Sequence, residues 1–159
     1  MLGKDLAKYL NEAIADTNYW GESESDSPLR VTRTKRNIDN KFLLSMDNSM
    51  RKAMGDPALK DQDRVIVEKS LSEVLIPLIQ AVQTEISELV FTDPIAAAPT
   101  YTAHAERFEY YAQIFNGFLG TTDPKVYYVD AANNPYTSIF IVGRCVDETV
   151  YMRGILTQT

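Results

Sequence analysis

The densest run of chemically capable residues is Gly21-Glu22-Ser23-Glu24-Ser25-Asp26-Ser27-Pro28. Its three carboxylates repel one another in a compact loop unless water or positive charge meets them. Two readings stay open. The first is a solvated acidic loop. The second is phosphate mimicry, in which carboxylates and hydroxyls occupy a basic, metal-bearing site built for a nucleic-acid backbone and offer it no scissile bond.

Other candidates are few. His104 and Cys145 are single residues of their types, which excludes sites with several imidazole or thiolate ligands. A Cys–His nucleophile pair is formally open. Cys145 follows Arg144 at the end of a predicted strand with no glycine elbow beside it, and so reads as a small buried hydrophobe, inert to thiol reagents until unfolding. His104 opens a predicted helix and reads as a solvated imidazole. Asp61-Gln62-Asp63 would hold a divalent ion loosely or, more ordinarily, lead into a helix, whose N-terminal dipole favours carboxylates. No phosphate-binding glycine loop, dinucleotide fingerprint or G-x-S-x-G occurs. The expectation is binding without catalysis, with no cofactor, resident metal or small-molecule substrate.

Two wider patterns have both a structural and a functional reading. Arg30, Arg33, Lys35, Arg36 and Lys41 suit the charged edge of a strand, or contact with an acidic surface. Tyr127, Tyr128, Tyr136, Phe140 and Tyr151 suit packing on sheet faces, or a stacking platform.

These residues need a frame. A chain of 159 residues suits one domain spanning 1–159, whose core needs no disulfide. A net charge of −6 argues against direct nucleic-acid binding, which needs a surplus of Lys and Arg. The opening residues carry early charges and no signal-type apolar stretch. The most apolar region, 74–90, is broken by Pro77, Gln80, Gln83, Thr84, Glu85 and Glu88, so no bilayer span is expected. A lone cysteine suits a reducing cytoplasm.

Apolar spacing predicts a first helix over about 3–17, and a β-branched run predicts a strand over 29–36. Phe42, Leu43, Met46, Met50 and Met54 make a short helix stripe, stopped by Gly55-Asp56-Pro57. Residues 63–90 carry the longest helical signal, with a kink or a break into two helices at Pro77. Residues 91–102, with Pro94 and Pro99, read as a connector, and 103–119 as a further helix. KVYYVD, YTSIFIVGR and TVYMRGILTQ then read as an antiparallel meander. That order implies an α+β fold with helices packed on an antiparallel sheet.

With the first helix leading into Ser23-Glu24-Ser25-Asp26-Ser27-Pro28-Leu29 and then a strand, the chain resembles the nuclease A inhibitor family. Asp123-Pro124-Lys125-Val126-Tyr127-Tyr128, Ile139-Phe140-Ile141-Val142-Gly143 and the terminal Thr159 extend the resemblance, which covers about residues 3–36 and 105–159. Three features depart from the family pattern. Residues about 37–90 form a helical segment without counterpart, Ser27 stands where the family has an aromatic, and the strand after the proline is basic. The resemblance implies a three-layer α-β-α sandwich that inhibits a sugar-non-specific, metal-dependent nuclease. It carries the family's binding glutamate to Glu24 and its terminal threonine to Thr159. Glu22, Ser23, Ser25 and Asp26 complete the expected partner surface, and the 22–27 loop should lie at the same end of the molecule as the chain terminus. The alternative is a non-catalytic scaffold or regulatory domain of the same fold with an unrelated protein partner.

Overall fold

Side-chain alternation along the three C-terminal strands divides the apolar residues into two cores. The computed structural model describes residues 1–92 and 94–158, with side chains other than those of 89–101. In chain order the elements are α1 (Gly3–Ile14), β1 (Arg30–Thr34), α2 (Asn40–Ala53), a 3₁₀ turn (Asp61–Asp63), β2 (Arg64–Ser70), α3 (Leu71–Thr92), α4 (Pro94–Leu119), β3 (Thr122–Ala131), β4 (Tyr136–Arg144) and β5 (Thr149–Thr157).

The strands form one antiparallel sheet in the order β1-β5-β4-β3-β2. Successive side chains in a strand point to opposite faces, and both faces of this sheet are covered. Val126, Tyr128, Ile139, Ile141, Val150 and Met152 pack with Leu6 and Leu10 of α1, Leu71 and Leu75 of α3, and Ile114 and Phe118 of α4. Val129, Phe140 and Tyr151, on the opposite face, pack with Phe42, Leu43 and Met50 of α2. The protein is therefore an α+β, three-layer α-β-α sandwich.

Local signals set the α2 layer. Asp39 Oδ1 accepts from the Phe42 N–H at 2.8 Å, capping the first turn of α2. Gly55 ends the helix with φ +85°, a conformation that L side chains rarely adopt.

The middle of the chain differs from expectation in two places. Residues 64–70 form strand β2, paired with β3 from Arg64↔Ala131 to Ser70↔Lys125, and are not the start of a long helix. Val67 and Leu71 are four residues apart, which fits a helix stripe, but the β-branched run Val65-Ile66-Val67 favours the pleated edge of a sheet. The true start of α3 is marked by Ser70, whose Oγ accepts from the Glu73 N–H at 3.1 Å. Pro77 lies inside the continuous helix Leu71–Thr92. The stretch read as a connector is helical on both sides of residue 93, which lies outside the described residues, because α4 begins at Pro94. Proline suits a first turn, where its missing N–H has no intrahelical partner to lose.

Candidate functional site

The 22–27 loop is anchored at its start by Trp20, which is fully buried. The Trp20 ring meets Tyr111 edge-on at 5.5 Å, and the Gly21 N–H donates to the Tyr111 hydroxyl at 2.9 Å. Glu22 turns inward. Its Oε1 accepts from Trp20 Nε1 at 3.0 Å and from the Tyr128 hydroxyl at 2.7 Å. Burial, then the Glu22 charge and this hydrogen bond, raises the Tyr128 pKa well above the ordinary phenol value. Glu22 thus serves the fold through both bonds.

From Ser23 onward the loop lies against the end of β5. The Thr157 N–H donates to Ser23 Oγ at 3.0 Å, and the Glu24 N–H donates to the Thr157 carbonyl at 2.9 Å. Ser25 Oγ and Thr157 Oγ1 share a hydrogen bond of 2.7 Å. Ser27, almost fully buried, donates to the Ile155 carbonyl at 2.7 Å. Three serines at every second position therefore bond to β5, which leaves Glu24 and Asp26 exposed between them. Ser23 and Ser27 hold the loop in place, so their hydroxyls are committed to the fold.

Gly154 permits this close approach. A Cβ there would meet Leu29 Cδ2 at 2.5 Å and the Pro28 carbonyl at 3.2 Å. A glycine inside a strand was the sequence signal that another backbone passes nearby.

The loop also reaches the chain end. Gln158 Nε2 donates to the Glu22 carbonyl at 3.1 Å, and the Gln158 N–H donates to the Pro135 carbonyl at 2.7 Å. The 22–27 loop and residues 157–158 therefore share one end of the sheet. Thr159, the expected terminal contact, lies outside the described residues. What the arrangement offers chemically is two outward carboxylates on a backbone fixed by hydrogen bonds, suited to meeting cationic groups.

No family model matches this chain, and no curated protein matches it.

The remaining candidates sit on separate segments of the chain. His104 is not a solvated imidazole: its side chain is only 14% exposed, and its Nε2 lies 2.6 Å from Glu85 Oε2 of α3. Cys145 follows the last residue of β4 and packs, partly buried, against the three-helix core. Burial pushes its thiol pKa up and Asp147 adds to this, while the amino terminus opposes them. A raised pKa leaves little nucleophilic thiolate at neutral pH.

Asp61 pairs with Arg64 at 2.8 Å and leads through the 3₁₀ turn into a strand, not a helix. Among the described residues, no group of three or more His, Cys, Asp or Glu side chains is placed to hold a metal ion. No helix among them is long and apolar enough to cross a membrane.

The basic run begins on β1, an edge strand of the sheet, where Arg33 pairs with Glu148. Lys35 and Arg36 follow the strand, with Arg36 over the Phe42 ring at 5.3 Å, and Lys41 lies in α2. Tyr127, Phe140 and Tyr151 pack on the α2 side of the sheet and Tyr128 on the other.

Sequence reasoning missed a closed ionic cluster between α2 and the sheet. Asp47, fully buried, receives Arg51 Nε at 3.0 Å, Arg64 Nη1 at 3.1 Å and the Ser138 hydroxyl. Arg51 Nη2 donates to the Tyr136 carbonyl at 2.9 Å, and Arg64 Nη1 also donates to the Leu44 carbonyl at 2.7 Å. The available signal was spacing: Asp47 follows Leu43 by four residues and precedes Met50 by three, on the apolar stripe of α2.

Proposed function

We propose that this chain is a cytoplasmic protein inhibitor of a sugar-non-specific, metal-dependent nuclease, engaging it through Glu24, Asp26 and the chain end. The observation that carries the reading is the serine-pinned loop on β5, which turns two carboxylates outward beside residues 157–158. A nuclease active site presents Arg and Lys to a phosphate backbone, and a carboxylate on a fixed loop meets them with little further ordering cost. The resemblance in the Ser23–Pro28 motif points the same way.

Removing one member of a buried interfacial charge pair costs about 2–5 kcal/mol. Glu24→Ala is therefore expected to weaken inhibition by about thirtyfold or more. Titration of the wild type and the variant against a non-specific endonuclease checks this. Wild-type protein that binds no such enzyme, or a variant that inhibits equally well, removes the assignment.

A further inference from the structure

Behind the loop lies a second site of opposite charge. Arg30 of β1 and Arg153 of β5 are direct cross-strand partners, two residues along from the pair Thr32↔Tyr151. Positions two apart share a face, and the Tyr151 ring packs edge-on against Phe42 of α2 at 5.6 Å. Both guanidinium groups therefore belong to the α2 side of the sheet. Like charges directly opposite one another destabilise a strand pair. Among the described residues neither arginine forms an ion pair. The Nε–H of Arg153 is buried and has no acceptor among the described residues. Buried donors in folded proteins are nearly always satisfied, and an exception calls for an unseen partner.

Both arginines line a cleft of about 500 Å³ between the loop, β5 and the second half of α2. Met46 and Met50 of α2, and Met54 just after it, line the same cleft. Ser25 and Thr157 supply hydroxyls there, and because they bond to each other, one of their two protons is left to donate outward. Asp26 stands at the exposed rim as a single carboxylate against two guanidinium groups.

We propose that this cleft binds a small oxyanion, a phosphate or carboxylate, carrying a short apolar arm. Arg153 and Arg30 take the anionic head, with charge-assisted hydrogen bonds that satisfy the buried Nε–H. The methionine wall takes the arm, since unbranched thioether side chains adapt to varied apolar shapes. The inference stands independently of any nuclease partner.

The test is calorimetric titration of the full chain with phenyl phosphate, inorganic phosphate and benzoate. Saturable binding is expected, with phenyl phosphate tighter than inorganic phosphate. The rank of phenyl phosphate against benzoate identifies the preferred head group. Arg153→Gln should weaken phenyl phosphate binding by about tenfold or more. Arg30→Gln, on an exposed position of an edge strand, gives a second reading that does not depend on the folding of the first variant. Met54→Ser should reduce the advantage of the phenyl group and leave inorganic phosphate unaffected. Absence of saturable binding by all three probes would overturn the proposal, as would unchanged affinity in both arginine variants. Equal affinity for phenyl and inorganic phosphate would overturn the assigned apolar arm.

Discussion

Two arginine pairs meet the same face of one sheet, and they are provided for in opposite ways. Arg51 and Arg64, toward the β2 edge, share the buried carboxylate of Asp47 and direct further donors at main-chain carbonyls. Arg30 and Arg153, toward the β1 edge, face each other with no carboxylate partner among the described residues and one buried donor unmet. The contrast separates two uses of one residue type. A guanidinium supplied with acceptors inside the chain fastens α2 to the sheet. One left without them is kept for something that arrives from outside.

The largest effect should come from breaking the closed pair. Asp47→Ala removes the one buried carboxylate the two guanidinium groups share, leaving Arg64 the exposed Asp61 and Arg51 only Asp56 at 3.9 Å. Such changes cost about 3–5 kcal/mol. Urea unfolding should show this as a large drop in midpoint. A loss below about 1 kcal/mol would mean that the cluster contributes little and that the contrast between the pairs is false.

Next comes Glu22→Ala, which strands the Trp20 N–H and the buried Tyr128 hydroxyl. Leaving buried polar groups unpaired costs about 1–3 kcal/mol, again read by urea unfolding. A variant as stable as wild type, but weaker as an inhibitor, would return Glu22 to the partner surface.

Arg153→Gln should behave in the opposite sense from Asp47→Ala. It relieves a like-charge cross-strand pair, so stability should stay level or rise by roughly 0.2–1 kcal/mol. A clear loss in the same melt would show that Arg153 supports the fold and that the open pair is not open.

The smallest effect is confined to acid. The Gly3 N–H donates to Asp147 Oδ1 at 2.9 Å, and this bond, assisted by Arg33 and Lys35, holds the carboxyl below the usual carboxylate range. A depressed folded-state pKa contributes stability that is present above the unfolded value and lost as pH falls through the folded one. Asp147→Asn keeps an acceptor but cannot titrate, so its stability should fall less between pH 7 and pH 3. Equal losses in the two proteins would detach Asp147 from the acid response.

Much of this frame was legible in the sequence wherever one periodicity ruled a segment. α1 and the stripe of α2 were accessible because each buries one face, and the terminal strands because their β-branched and aromatic runs are bounded by turn residues. β2 was hidden because Val67 satisfies both the helical and the strand period, and the β-branched run Val65-Ile66-Val67 and the Ser70-x-x-Glu73 start signal distinguish them. At the site, the acidic-serine run was visible as a motif, but its division of labour was not. Whether a carboxylate faces outward like Glu24 or inward like Glu22 depends on Trp20 and Tyr128, and Tyr128 is far away along the chain. Arg153 was equally silent, since an arginine in a strand reads as a surface residue until its cross-strand partner is known.

The serine pinning of the loop also has a dynamic consequence. Thr157 is at once the last residue of β5 and the point that Ser23, Glu24 and Ser25 hold. Strand ends open more readily than sheet centres, so fraying of β5 at Thr157 would release the loop in the same event. The two outward carboxylates and the end of the chain thus form one cooperative unit of local unfolding, and a partner that clamps either part slows the opening of both.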